Sequence, residues 1–245
     1  SRGLGDVYKR QEIYSNISEN YRSVTFADIS IINPAYSINP DISDERGNTI
    51  DLGIRGNINK LISYDLTLFN LNYKDRIGFA QKEFKDGSVK SERGNIGDAI
   101  IYGLESNIDF DVNNLIIKND NISLNVFLNT AIIDSEYIRS EENGVIGKKV
   151  EFVPNYNIKT GIKLGIGNFI FNTQYSHVST QFTDSSNAKE GNISGIIGEI
   201  PGYSLLDFSI AYRLKKIKIE TGINNLTNTY YFTRRATGYP GPGII

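Results

Sequence analysis

An alternation of apolar and polar residues with period two, sustained over almost the whole chain, most restricts what this sequence can fold into. From position 50, Ile50, Leu52, Ile54 and Ile58 alternate with Asp51, Arg55 and Asn57. Side chains along an extended strand point to opposite faces in turn, so the pattern predicts a strand with one apolar and one polar face. The alternation returns in Ile62, Tyr64, Leu66 and Leu68 against Ser63, Asp65 and Thr67, then in Tyr102, Leu104, Ile108, Phe110 and Val112 against Glu105, Asn107, Asp109 and Asp111. Ile122, Leu124, Val126 and Leu128 oppose Ser123, Asn125 and Asn129; Ile158, Ile162 and Leu164 oppose Asn157, Lys159 and Lys163. The last strands set Phe169, Phe171 and Tyr175 against Asn172, Gln174 and Ser176, Leu206, Phe208, Ile210 and Tyr212 against Asp207, Ser209 and Arg213, and Ile217, Ile219 and Ile223 against Lys216, Lys218 and Glu220. The phase switches once, where Phe69, Leu71 and Tyr73 become the apolar set against Asn70, Asn72 and Lys74. A bulge or the end of an apolar outer band accounts for such a switch.

With residues 12–17 as the first, about nine strands are predicted, several of ten or more residues and so longer than the usual five or six. Their connections alternate strictly. Short ones fall near 59–61, 112–120, 165–168 and 214–215; long polar ones fall near 18–46, 80–95, 137–149, 183–202 and after 226. Short turns at one end and long loops at the other characterise an up-and-down membrane barrel, whereas a soluble sandwich has no reason to collect its long loops at one end. Alternation alone fits either an apolar core with a polar outside or the inverse. Loop asymmetry, together with aromatic residues near strand ends (Tyr73, Phe79, Tyr102, Phe152, Tyr175, Phe182, Tyr203, Tyr212), selects the inverse. The predicted fold is all-β: part of an antiparallel up-and-down transmembrane β-barrel, with Ile50, Leu52, Ile54, Leu206, Phe208 and Ile210 facing outward and Asp51, Arg55, Asp207 and Arg213 inward.

Composition is compatible with this. A chain of 245 residues can be one all-β unit, and 39% hydrophobic with 22% charged residues argues against disorder. No apolar run approaches the ~18 residues of a spanning helix, but barrel strands need only about 9 to 11 residues, half of them apolar. The absence of cysteine excludes disulfides and thiolate chemistry. A net charge of −2 gives no basic field for nucleic acid.

Residues 1–11 (SRGLGDVYKRQ) back-translate into an adapter plus transposon-end oligonucleotide and are read as a translated cloning or assembly scar, the alternative being a genuine basic arm. The folding unit is then 12–245.

Several stretches resemble TonB-dependent receptors, in particular the branch similar to ferric dicitrate transporters. They are IPGYSLLDFSIAY (200–212), GINNLTNTYYFTRRATGYPGPGI (222–244), DLGIRG (51–56), YKDRIG (73–78), YGLES (102–106) and QFTDSSN (181–187), spread over nearly everything after residue 11. The resemblance implies a barrel of about 22 strands with an N-terminal plug, of which this chain would be a C-terminal fragment of about nine strands lacking the plug, the first half of the barrel and the closing strand. It also implies a Gram-negative outer membrane, contact with outer-membrane lipid, import of a ferric chelate similar to ferric citrate, and coupling to the TonB energy-transducing complex through an N-terminal region. A passive porin or structural barrel, or TonB-dependent uptake of haem or a glycan, are the alternatives.

Candidates for chemistry are few. His177 is the only histidine, which rules out multi-histidine sites, and it is read as a strand-end residue. Glu141 and Glu142 sit in a charged loop with no apolar surroundings to separate their titrations. Gly161, Gly165 and Gly167 fall in a strand-turn-strand pattern and not before a helix, against a phosphate loop. No catalysis and no cofactor are expected. Arg234 and Arg235 are the preferred ligand-binding residues, because adjacent guanidinium groups can fork onto the carboxylates of an anionic chelate. Arg22 and Arg93, in earlier long loops, are weaker candidates of the same kind. A solvated pair, or a pair binding lipopolysaccharide or a neighbouring loop, is the competing reading.

Overall fold

The computed structural model describes residues 11–30, 33–119, 121–191, 195–235, 237–239 and 243–244. Residues 1–10 of the stretch read as foreign lie outside them. Gln11, its last residue, opens β1 opposite Gly56.

In chain order the elements begin with β1 (Gln11–Arg22), a helical turn α1 (Phe26–Ile29), β2 (Tyr36–Ile38), β3 (Glu45–Ile58), β4 (Ile62–Glu83) and β5 (Val89–Asp111). They continue with β6 (Ile122–Arg139), β7 (Tyr156–Ile166), β8 (Phe169–Val178), β9 (Gln181–Phe182), β10 (Glu199–Ile200), β11 (Tyr203–Leu214) and β12 (Ile217–Asn224). Three short strands follow, β13 (Tyr231–Arg234), β14 (Thr237–Tyr239) and β15 (Gly243–Ile244). One sheet runs β1-β3-β4-β5-β6-β7-β8-β11-β12, every neighbour antiparallel, with β15 adding two pairs to β12. These nine long strands are the nine that alternation predicted. Among the described residues the two ends of the sheet do not pair, so the wall is open.

At one end of the wall the connections are tight because their residues accept positive φ, whose twist matches that of paired strands. Asn59 and Lys60 (φ 52° and 62°), Gly167 (φ 55°) and Lys215 (φ 50°) turn β3 into β4, β7 into β8 and β11 into β12. The connection from β5 to β6 is a single π-helical turn, Asn113–Ile117. Every longer connection lies at the opposite end, called here the outer end.

Cross-strand register assigns the faces. One row joins Leu52, Leu68, Leu104 and Ile132; another joins Ile62, Phe110, Val126, Ile162, Thr173, Phe208 and Ile223. The intervening row joins Glu12, Arg55, Asp65, Asn107, Asn129 and Lys159, and along it the sheet forms a polar groove lined also by Glu105 and Asn157. None of Ile50, Leu52, Ile54, Leu206, Phe208 and Ile210 belongs to the buried core; Leu52 is 53% and Ile162 49% exposed. Asp51, Arg55, Asp207 and Arg213 lie on the other face, as predicted. There Tyr14 spreads its ring over Gly53, where any Cβ would collide, and its hydroxyl donates to Asp65 at 2.7 Å.

The phase switch at Phe69 is not a bulge. Register runs without interruption from Ile62 to Tyr73, and the irregularity falls later, between Tyr73 and Arg76. Phe69, Leu71 and Tyr73 therefore point inward, while Asn70 and Asn72 take the outer face, where Asn72 donates to Asn48 at 2.9 Å. The inward set packs on a buried cluster of Ala80, Ile96, Ala99, Ile101, Tyr137, Val145 and Val150, the last two supplied by the β6–β7 loop folded against the wall. This is the apolar core, and it sits at the outer end.

The segment 80–95 is a correction. Its polar composition suggested a loop, yet β4 continues to Glu83 and β5 begins at Val89, leaving a tight turn with Phe84 and Ser88 hydrogen bonded at 2.8 Å. At 22 and 23 residues these strands run for about 70 Å, far beyond a ~25 Å apolar band. A strand with water outside needs no apolar outer face, so alternation fades although pairing persists.

Candidate functional site

At the outer end the loops and the extended β4–β5 hairpin line a cavity of about 840 Å³. Its lining brings together all four arginines singled out from sequence, Arg22, Arg93, Arg234 and Arg235, which come from β1, β5 and the segment at β13. A fifth, Arg76 of β4, joins them, with Asp28, Glu45 and Glu151 as the carboxylates. Five guanidinium groups against three carboxylates leave an excess of positive charge in a recess that is half open to water.

The arginines are held differently. Arg22 and Arg93 share the carboxylate of Asp28: the Arg22 guanidinium donates to its Oδ1 and Oδ2 at 2.7 and 2.8 Å, and Arg93 donates to Oδ1 from Nη2 at 2.8 Å and Nε at 3.2 Å. Asp28 is only 2% exposed. Burial by itself pushes its carboxyl upward, but hydrogen bonds from Thr25, Arg93 and Arg22 outweigh this and hold it well below the usual carboxylate range. Arg93 also lies over the Phe79 ring at 4.6 Å, and Phe79 touches Tyr36 of β2 with 5.5 Å between ring centroids. Arg235 donates to the carbonyls of Glu199 at 2.8 Å and Gly195 at 3.3 Å, so it fastens the β8–β11 loop as well as lining the cavity. Arg234, beside it, is exposed.

Arg76 is the residue that sequence reasoning missed. The nearby charges of Glu151 and Glu45 favour its charged form against the cost of burial, its guanidinium lies 5.2 Å from the Tyr73 ring centroid, and its buried Nε has no hydrogen-bond partner among the described residues. Glu151, 2% exposed, accepts from the Tyr137 hydroxyl at 2.6 Å, and Glu45 accepts from the Ile77 amide at 2.8 Å. Arg76 stands in the YKDRIG stretch (73–78), one of those that carry the family resemblance. Only the length of β4 places it in the cavity.

The loops that roof the cavity are tied to one another and to β4 by hydrogen bonds. Phe152 donates to the Phe182 carbonyl at 2.9 Å, Ser185 to that of Phe79 at 2.9 Å, and Asn187 exchanges bonds of 2.7 and 2.8 Å with the backbone of Lys149. The remaining chemical candidates lie elsewhere. His177 sits in β8 on the outer face, its Nδ1 2.9 Å from Ser204 Oγ. Glu142 pairs with Lys82 at 2.5 Å. Gly161 and Gly165 are in β7 and Gly167 is in the turn after it, with no helix to make a phosphate loop.

The model of a family described as TonB dependent receptor-like, beta-barrel matches residues 3–226. Among solved structures, the chain is similar to the unliganded ferric citrate transporter FecA (TM-score 0.74, 20% identity), covering 97% of this chain and 35% of that one. It is also similar to the copper transporter OprC (TM-score 0.68, 16% identity, 96% and 35% covered). The ferric yersiniabactin uptake receptor FyuA from Yersinia pestis gives TM-score 0.66 and 17% identity over 97% of this chain and 34% of that one. The chain thus spans about a third of the length of these proteins.

Proposed function

We propose, from the premise that this chain belongs to the TonB-dependent receptor β-barrel family, that the whole protein imports a ferric chelate of small carboxylates captured in the arginine-lined cavity. The family is one of outer-membrane transport receptors, not enzymes. The observation that carries the substrate class is the convergence of five arginines from separate elements on one recess, one of them with a buried nitrogen that has no hydrogen-bond partner among the described residues. A carboxylate-rich anion satisfies such a set by charge-assisted, often bidentate hydrogen bonds. In the same reading the apolar rows of the wall contact outer-membrane lipid, and the TonB complex engages a region upstream of this chain.

The test is binding of ferric citrate to the complete receptor and to an Arg234→Ala, Arg235→Ala double variant, with Arg234→Ala alone to separate ligand contact from the loop-fastening role of Arg235. Charge-assisted hydrogen bonds contribute roughly 1.5 to 3 kcal/mol each, so the double variant is expected to bind more than about tenfold more weakly. Unchanged affinity removes the pair from the site, and failure of the receptor to bind any ferric carboxylate removes the substrate class.

A further inference from the structure

The carboxylate of Asp28 already occupies the position that an anionic ligand needs. Oδ1 receives Arg22 and Arg93, while Oδ2 receives the Thr25 amide at 2.9 Å and the Thr25 hydroxyl at 2.7 Å in addition to Arg22. We infer that Asp28 is a resident competitor for Arg22 and Arg93, which a carboxylate ligand displaces on binding, so that this residue sets the number of carboxylates a ligand must carry. The inference rests on the proposed function and deepens it.

Three observations support displacement over permanent pairing. First, Asp28 is carried on a helical turn of four residues within the connection from β1 to β3, whereas Arg22 ends β1 and Arg93 lies in β5, both paired strands. The carboxylate is thus on an element outside the sheet, while both arginines are held in it. Second, the turn is closed on itself: the Thr25 amide and hydroxyl donate to Asp28 Oδ2, and the Asp28 amide donates to the Thr25 carbonyl at 2.9 Å, so Oδ2 stays satisfied if the turn shifts as a unit. Third, Arg22 has a second carboxylate, Glu45, at 3.6 Å, and Glu45 is fixed by the Ile77 amide, so Arg22 stays in place when Asp28 leaves.

The arithmetic of exchange gives the specificity. A ligand with one carboxylate trades one guanidinium-bound carboxylate for another and gains little. A ligand with several carboxylates replaces Asp28 and also reaches Arg76, Arg234 or Arg235, and only the second part of that exchange is net gain. Resident Asp28 therefore discriminates against acetate-like ions far more than against a ferric polycarboxylate.

The experiment measures affinity of the complete receptor, in detergent, for ferric citrate and for acetate, in wild type, Asp28→Asn and Thr25→Ala. Asp28→Asn removes the competing charge while keeping the shape, and it is expected to tighten ferric citrate by at least about fivefold and to bring acetate binding into the measurable range. Thr25→Ala keeps the charge but loosens its anchor, so a smaller tightening, about twofold, is expected, and it serves if Asp28→Asn fails to reach the membrane folded. Equal or weaker ferric citrate binding in both variants, with wild type binding normally, overturns the inference: Asp28 then positions the arginines. Absence of ferric carboxylate binding in every variant overturns the proposed function, and this inference with it. Binding gained by Asp28→Asn where wild type shows none supports both.

Discussion

The lower and upper halves of the wall obey opposite rules. Up to the level of Leu68 the outer face is apolar, in rows such as Leu52, Leu68, Leu104 and Ile132, and the inner face is polar. Above it Asn48, Asn70 and Asn72 take the outer face while Phe69, Leu71 and Tyr73 turn inward onto a buried cluster. Register continues unbroken across the exchange, so the strands do not change; their surroundings do. Apolar side chains face outward where the outside is the proposed lipid, and inward where the outside is water and a folded loop supplies partners. On the proposed lipid contact, the level at which the two faces trade character is where the bilayer ends.

The same charge placed on the same face at two heights separates the two halves. Ile162→Lys, on an outward apolar row, is expected to destabilise the complete receptor by about 2 to 4 kcal/mol, as for a lysine near the middle of a bilayer. Asn72→Lys, on the outer face above the exchange, is expected to cost less than about 1 kcal/mol because the side chain there is only half-buried and its bond to Asn48 is exposed. Thermal unfolding of the two variants in detergent and lipid vesicles measures the difference. Equal destabilisation would place both positions on one side of the boundary.

A second effect, smaller for the whole barrel, sharpens the account of the upper half. Glu151→Ala removes the acceptor of Tyr137 and the carboxylate facing Arg76, and a charge-assisted bond of that kind contributes about 1.5 to 3 kcal/mol. The loss is expected to be local. Amide exchange should accelerate over 140–155 and leave β7 and β8 protected, since cooperative units open separately. Acceleration spread evenly along the wall would show that the two halves are one unit.

The smallest expected effect is with pH. The Asp28 carboxyl is held below its ordinary value, so the stability it contributes is fully present above the unfolded pKa of ~3.9 and is lost only as pH falls through the lower folded value. Protection of 22–30, corrected for the intrinsic exchange rate, is expected to stay constant from pH 7 to about 4.5. Loss within that window would mean that the arginines do not hold the carboxylate as the geometry indicates.

The alternation of Ile50 through Ile58, and its eight counterparts, was legible because in the membrane-level half each residue answers to one neighbour, the medium on its side of the sheet. The tight turns were legible for a related reason: Asn59, Gly167 and their like answer only to local backbone geometry. Above that level the same code misleads. Lys82, Lys90 and Glu92 look like loop, yet they are paired strand, because pairing is a backbone property and water imposes no pattern on the side chains.

The cavity was half legible. Arg22, Arg93, Arg234 and Arg235 stood out as basic residues in polar connections, and all four line it. Arg76 did not, because nothing in YKDRIG says how far β4 runs past the apolar band, and Asp28 did not, because a carboxylate in a loop reads as solvated until its neighbours are known. Those neighbours are 65 positions away in Arg93 and six away in Arg22. What the sequence determined by itself is therefore the wall: strand identity, facing and turn asymmetry, each set by contacts local in the chain or uniform in the medium. Which charges meet, which are neutralised and which line the cavity was decided by tertiary structure alone, because electrostatic pairing depends on distances through space that no period in the sequence encodes.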